Sequence, residues 1–310
     1  MASMNKPNQS TLLTDLTPYI YGTTRLGDNK IPFAERVKMA HTAMETGVWF
    51  HASNQYNNAH QVLRAAFDED RTKVPKLIVK LEGNSIGELR KDLHNNLEPL
   101  GLENLEIGQL CLGTGELARD FANGGECYWE FVRIKAEGLV NRFVLEVFPW
   151  TSGTALQALK AGYPEGIVDG YIYYLNPLQR FASNELWELL NERKEAQIAL
   201  RTVAGGPVHW LRDVPGAAWK EYLQKRAVEV APIFERSGVE NWTDFCVRFA
   251  FSFENIRATI GATSHVENLN DFLSATKQIQ PLPAGIIDEI TRLQCRWSDE
   301  TDMHAEAWTM

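Results

Sequence analysis

The stretch Gly47-Val-Trp-Phe-His-Ala-Ser-Asn-Gln-Tyr56 decides the fold, because it holds a short apolar run that leads into a polar segment. Before it, apolar residues recur at helical spacing over residues 33–46, and Gly47 stands where a helix C-cap adopts a positive φ. A helix, a glycine cap and an apolar strand in this order form the repeating unit of parallel α/β proteins. The unit places His51 and Tyr56 at the C-terminal end of the strand, where α/β enzymes keep their reactive side chains.

Eight apolar segments of strand length alternate with helical segments along the chain. They cover residues 19–23, 48–51, 77–80, 107–112, 142–147, 168–174, 198–203 and 256–260. Helices are predicted between them, for example over residues 86–100 and 127–137, and Gly138 caps the second of these. Eight βα units in 310 residues with 44% hydrophobic content predict one α/β domain over residues 1–310, a single (β/α)8 TIM barrel.

Two segments stand apart from this pattern. Residues 1–15 are predicted to form a flexible N-terminal segment. Residues 207–230 are rich in aromatic side chains and more numerous than a simple βα turn needs. We expect them to form an elaborated loop on the face that carries the C-terminal strand ends.

The amino-acid composition limits the classes of partner that this protein is expected to bind. The net charge of −9 and the pI near 5.4 argue against nucleic acid or an anionic membrane surface, since both repel an acidic protein. The four cysteines lack zinc-ligand spacing and indicate neither a metal site nor a disulfide framework, so a reducing cytoplasm is predicted. No signal-peptide core is apparent, and no stretch approaches the ~18 apolar residues of a membrane span. The expected partner is a small-molecule substrate, and the oligomeric state is left open.

Tyr56 and Lys80 are the residue pair that points to chemistry, because each follows an apolar strand run. A lysine ammonium stabilises the phenolate that a neighbouring tyrosine leaves behind, which makes the tyrosine a better proton donor. Proton donation of this kind fits the reduction of a carbonyl. The alternative is structural: Tyr56 packs its ring and Lys80 pairs with Glu82.

Four stretches in this order resemble the aldo-keto reductases, from about residue 21 to residue 275. They are residues 47–56, 93–107, 135–142 and 258–264. The resemblance implies a barrel that reduces a carbonyl with NADPH or NADH. In that family tyrosine protonates the carbonyl oxygen, lysine paired with aspartate lowers the pKa of the tyrosine, and histidine orients the substrate.

Tyr56 and Lys80 match two members of this tetrad, and the other two positions are replaced. His51 stands at the aspartate position and Gly113 at the histidine position. A neutral His51 can accept a hydrogen bond from Lys80 but supplies no counter-charge; alternatively, His51 is itself the acid or base, or it packs in the core. Gly113 leaves the substrate pocket roomier and without one donor.

The resemblance also implies positions for the coenzyme and the substrate. The coenzyme positions are Gly22, Thr23, Tyr174, Arg201, Gly205, Gly261, Ala262, Thr263 and Ser264. The substrate-pocket positions are Gly113, Glu146, Trp150, His209 and Trp210, whose aromatic members favour an apolar or aromatic substrate. Glu146 and Val147 replace the Ser-Asn pair that holds the carboxamide in the family, and Phe272 replaces an asparagine that contacts the adenine. Coenzyme binding is therefore expected to be weak or lost, and the preference between NADP and NAD is left open.

Three classes of function remain from the sequence. The first is a nicotinamide-dependent reductase of a carbonyl or a conjugated C=C bond. The second is a non-redox isomerase or dehydratase that uses Tyr56, His51 and Lys80 for proton transfer. The third is a catalytically impaired member with a binding or regulatory role.

Overall fold

The computed structural model describes residues 12–83, 85–112, 115–163, 166–204 and 220–305. Eight parallel strands match the eight predicted segments to within a few residues. They are β1 (Tyr19–Gly22), β2 (Trp49–Ala52), β3 (Leu77–Glu82), β4 (Leu105–Cys111), β5 (Val140–Glu146), β6 (Val168–Asn176), β7 (Gln197–Leu200) and β8 (Ile256–Ala262).

The strands close on themselves. Each pairs in parallel with its neighbour in sequence, and β1 pairs with β8 to complete the ring. A short antiparallel strand, Gln179–Arg180, folds back on the end of β6. The predicted (β/α)8 TIM barrel is confirmed.

Helices surround the barrel. They are α1 (Phe33–Met44), α2 (Ala59–Glu69), α3 (Ile86–Leu100), α4 (Gly115–Ala122), α5 (Glu126–Ala136), α6 (Ser152–Ala161), α7 (Asn184–Glu192), α8 (Lys220–Ser237), α9 (Trp242–Phe251), α10 (Val266–Lys277) and α11 (Ala284–Glu300). Gly47 (φ 71°) and Gly138 (φ 74°) adopt the left-handed conformation predicted for the caps of α1 and α5. None of the helices in the described ranges has the length and apolar character needed to cross a membrane.

The barrel interior is filled by one apolar side chain or more from each strand. These are Ile20, Trp49, Ile78, Ile107, Val144, Ile172, Ile198, Leu200, Ala258 and Ile260. The opposite faces of the strands pack against the helices in a larger outer core. This alternation follows from the two-residue period of a strand and determines which side chains reach the barrel mouth.

The N-terminal end of the barrel is closed by residues that the sequence assigned to a flexible segment. Leu13 and Leu16 are buried with the interior cluster, and Asp15 binds Arg142 at 2.7 Å and Lys76 at 3.3 Å. Residues 12–15 are held against the barrel by the burial of Leu13 and by the ion pairs of Asp15, and the flexibility of the N-terminal segment stays a prediction. Residues 1–11 lie outside the described residues.

Part of the segment predicted to form a loop, residues 207–230, is helical. Helix α8 begins at Lys220, and Leu223, Ala227 and Val230 are buried at helical spacing. The aromatic content of the segment obscured this periodicity. Residues 205–219 lie outside the described residues.

Candidate functional site

On four consecutive strands, a polar residue lies next to the apolar interior of the barrel, on the side of the C-terminal strand ends. His51 on β2, Lys80 on β3, Gln109 on β4 and Glu146 on β5 each follow an inward-facing apolar residue by two positions. The two-residue period turns all four side chains inward at the C-terminal strand ends. Cys111 adds a fifth polar group two residues beyond Gln109. We call His51, Lys80, Gln109, Cys111 and Glu146 the mouth cluster.

The central contact of the mouth cluster joins Lys80 to Glu146. Lys80 Nζ lies 3.3 Å from both carboxylate oxygens of Glu146, whose side chain is 1% exposed. Burial opposes the charge on Lys80, but Glu146, together with Cys111, Tyr56 and Tyr174, outweighs burial and raises the pKa of Lys80 well above its usual range. Lys80 is thus a cation, and its counter-charge comes from β5. Glu82 lies farther away, with Oε1 3.9 Å from Nζ.

Two donors hold the Glu146 carboxylate in place. Gln109 Nε2 donates to Oε2 at 2.6 Å, and the Cys111 thiol donates to the same oxygen at 2.7 Å. Burial and the nearby carboxylate raise the pKa of Cys111 well above its usual range, so the thiol keeps its proton. Sequence reasoning assigned no role to Gln109 or Cys111. Their signal was present, since both are polar residues two positions apart in the second half of β4, on the face that Ile107 turns inward.

His51 is buried and neutral. Because the Gln109 amide group donates to Glu146, its oxygen accepts, and His51 Nε2 donates to that oxygen at 2.7 Å. Burial, followed by the charge of Lys80, lowers the pKa of His51 to about 4. Lys80 is held by Glu146 rather than by His51, so the arrangement differs from the predicted hydrogen bond between lysine and imidazole.

Tyr56 follows β2 in a loop at the mouth and is half-buried. Burial raises its pKa to about 12, opposed by the charge of Lys80 and by a hydrogen bond from the Thr24 side chain. A Cβ atom at Gly27 would lie 2.0 Å from the Tyr56 carbonyl oxygen, so the turn after β1 presses directly against the tyrosine backbone. Tyr56 is thus a protonated phenol that experiences the positive charge of Lys80.

Several coenzyme positions implied by the resemblance are used by the barrel itself. The Thr23 hydroxyl donates to the His51 carbonyl at 3.0 Å, and Gly22 pairs with Ala262 across the β1–β8 ladder. A Cβ at Gly261 would lie 2.1 Å from the Phe272 ring. The close packing of this ring therefore explains why position 261 is a glycine.

The Phe272 ring stacks on Tyr19, with centroids 4.7 Å apart. The position of the adenine-binding asparagine is therefore filled by core packing. The Thr263 hydroxyl accepts a hydrogen bond from the His265 amide at 3.0 Å, at the start of α10.

Tyr174 and Arg201 lie together at the ends of β6 and β7. The Tyr174 ring stacks on Phe181 at 4.4 Å, and the Arg201 guanidinium lies 5.5 Å from the Tyr174 centroid. Within the described residues no carboxylate forms an ion pair with Arg201. With half-exposed Ser264, Arg201 offers groups suited to a phosphate, whereas both Glu146 oxygens already accept hydrogen bonds within the mouth cluster.

The remaining pocket positions are only partly described. Trp150 is half-buried and stacks on Phe148, with centroids 4.9 Å apart. Gly113, Gly205, His209 and Trp210 lie outside the described residues. The roles expected for them stay predictions.

No protein-family model and no curated protein matches the sequence. Many solved structures share its fold. Aldo-keto reductase AKR11C1 from Bacillus halodurans, in its holo form, has a TM-score of 0.65 and 17% identity over 89% of this chain and 91% of that one. An aldo/keto reductase from Klebsiella pneumoniae in complex with NADP and acetate has a TM-score of 0.63 and 14% identity over 90% of this chain and 92% of that one. At these identities the likeness shows that this chain has the barrel fold of the aldo-keto reductases.

Proposed function

We propose that this protein is a nicotinamide-dependent reductase of the aldo-keto reductase type, in which Tyr56 donates the proton to the carbonyl oxygen. The observation that carries the proposal is the buried Lys80–Glu146 pair, which supplies a lysine and a carboxylate despite the loss of the aspartate at position 51. The barrel likeness to reductases, one of them in complex with NADP, supports it.

The chain's own residues handle the proton. Tyr56, with a pKa near 12, carries its proton at neutral pH and is available as a donor. The Lys80 ammonium stabilises the phenolate left after donation, and Glu146 keeps Lys80 charged inside the barrel. His51 donates its Nε2–H to the side-chain oxygen of Gln109. This hydrogen bond holds the Gln109 amide in place, and the amide in turn holds Glu146.

The coenzyme is NADPH or NADH. When bound, its nicotinamide supplies the hydride to the carbonyl carbon. Arg201 and Ser264 are the residues proposed to contact its phosphates. Binding is weaker than in relatives that keep the carboxamide and adenine contacts, since each lost hydrogen bond costs about 1 kcal/mol, or several-fold in affinity.

The proposed substrate is a small apolar or aromatic carbonyl compound or a conjugated alkene. The aromatic rings of Tyr174 and Trp150 at the strand ends support this preference. A cytoplasmic location is part of the proposal, supported by four cysteines without a disulfide.

A second candidate is a non-redox proton-transfer enzyme that uses the same tyrosine and lysine. The stack of Phe272 on Tyr19 favours it, because this packing fills the position of the adenine contact. Both candidates need Tyr56, and only the reductase needs the coenzyme.

Titration with NADPH and NADH separates the two candidates, with binding followed by quenching of the tryptophan fluorescence. The reductase predicts saturable quenching that Arg201→Ala weakens at least several-fold. Arg193→Ala, which changes an arginine beside α7, serves as the matched control and should leave binding unchanged. Absence of binding at millimolar coenzyme would refute the reductase and leave the proton-transfer enzyme.

A further inference from the structure

One turn of helix α3 reaches both segments that carry the reactive residues, the loop with Tyr56 and strand β3 with Lys80. Asp92 and Asn96 lie four residues apart on α3 and therefore on the same face. Their side chains contact the segment before Tyr56 and the end of the strand that bears Lys80. We call this pair the α3 clamp.

Asn96 is fully buried, and its amide bonds three elements. Its Oδ1 accepts from the backbone N–H of Asn54 at 3.0 Å and from His60 Nε2 at 2.8 Å. Its Nδ2 donates to the carbonyl of Lys80 at 3.3 Å and to that of Asp92 at 2.8 Å. One side chain thus joins the Tyr56 loop to the backbone of Lys80 itself.

Asp92 makes a parallel connection. Its Oδ1 accepts from the side-chain amide of Asn54, and its Oδ2 accepts from the backbone N–H of Glu82 at 2.8 Å. Gln55, the residue before Tyr56, adds a hydrogen bond to the Glu82 carboxylate. The loop and the strand end are therefore tied at several points through α3.

The strand ladder itself does not hold these residues together. The pairing of β2 with β3 ends at Ala52 and Val79, before either Tyr56 or Lys80 is reached. Beyond that pair, the described contacts between the two segments run through side chains, chiefly those of the α3 clamp. These side chains therefore connect the segment before Tyr56 to the end of β3.

We propose that Asp92 and Asn96 are positioning residues that set the separation of Tyr56 from Lys80. The proposal rests on the proposed function. Displacement of a reacting group by about 1 Å can cost about 10²-fold in rate, and loss of the clamp removes the hydrogen bonds that hold Asn54, two residues before Tyr56, to α3. The effect acts on turnover rather than on binding, because neither residue lies among the proposed coenzyme or substrate contacts.

The test compares Asn96→Ala with Asn191→Ala. Asn191 on α7 also donates to the carbonyl four residues earlier, at 2.9 Å, and accepts from Gln197 at 3.2 Å, but it lies at the opposite end of the barrel. Turnover is measured with NADPH and benzaldehyde, and amide hydrogen exchange is measured over residues 53–58. We expect Asn96→Ala to lower kcat about 10²-fold with KM changed less than about 3-fold, and to speed exchange in this segment.

Asn191→Ala should change neither quantity. An unchanged kcat and exchange rate in Asn96→Ala, or an equal loss in both variants, would overturn the proposal. If Asn96→Ala does not fold, Asn54→Ala replaces it, because it removes only the side-chain amide that reaches Asp92. A loss of kcat of about 10-fold supports the clamp in that variant, and unchanged kcat and exchange overturn it.

The exchange measurement separates this proposal from the proposed function. If the unmodified protein reduces no carbonyl with either coenzyme, the proposed function fails. Exchange over residues 53–58 then decides the clamp alone: faster exchange in Asn96→Ala than in Asn191→Ala supports it, and equal exchange overturns it.

Discussion

Glu146→Gln tests the substitute counter-ion with almost no change of shape. The amide oxygen can still accept from Gln109 and Cys111, which leaves the new NH2 group facing Lys80. A donor then meets a donor inside the barrel. Glu82, at 3.9 Å, is the remaining carboxylate near the ammonium.

The expected destabilisation is about 3 kcal/mol at pH 7. Removal of one partner from a buried ion pair costs roughly 3–5 kcal/mol, and the 14% exposure of the Lys80 side chain together with Glu82 places this case at the lower end. The pKa of Lys80 is raised in the folded protein, so its stabilising contribution is present at all pH values below the unfolded pKa and is lost only as pH rises through the folded pKa. In the variant, burial without the carboxylate lowers that pKa. The deficit should therefore shrink as the pH approaches 10.

Urea denaturation at pH 7 and at pH 9.5, followed by tryptophan fluorescence, measures this deficit. Glu106→Gln is the matched control, because Glu106 binds Arg142 at 2.7 Å in a more exposed pair and should contribute about 1 kcal/mol or less. Turnover of Glu146→Gln should also fall, since Lys80 loses charge. A deficit no larger than that of Glu106→Gln would refute the reasoning that Glu146 maintains the charge of Lys80.

Two further predictions concern stability. The pKa of His51 is lowered to about 4, so the protein should lose about 3 kcal/mol as pH falls from 6.5 to 4. His51→Gln, which still offers a donor to Gln109, should remove most of this acid sensitivity in urea titrations at pH 7 and 4.5; equal sensitivity in both proteins would contradict the burial of a neutral imidazole. Gly261→Ala forces a methyl group against the Phe272 ring and should cost about 1–3 kcal/mol. Adding Phe272→Leu should recover part of that cost in thermal unfolding, and strictly additive losses would show that the two sites do not touch.

The fold was accessible from the sequence because strands and helices have different apolar periods. Eight short apolar runs predicted eight strands, and Gly47 and Gly138 marked two helix ends correctly. Residues 220–230 were assigned to a loop wrongly, because their helical period was overlooked. Leu13 gains its stability from the interior that it closes, which no local pattern reports.

The site was predicted only in part. Tyr56 and Lys80 stood out because each lies at the C-terminal edge of an apolar run, but the partner of Lys80 lies 66 residues away on β5. Barrel closure brings Glu146 inward over Val144, and the sequence alone gives no cross-barrel distances. The polar residues Gln109 and Cys111, two positions apart on one strand, indicated that the barrel mouth is polar. They did not indicate which side chain each would bind.

Proton donation by Tyr56 is tested by the effect of Tyr56→Phe on NADPH-dependent turnover of benzaldehyde, followed at the absorbance of the reduced coenzyme. The phenylalanine keeps the ring and removes the proton. We expect kcat to fall roughly 10²-fold or more, with coenzyme affinity and the unfolding midpoint nearly unchanged. Equal turnover by Tyr56→Phe and the unmodified protein would contradict proton donation by Tyr56.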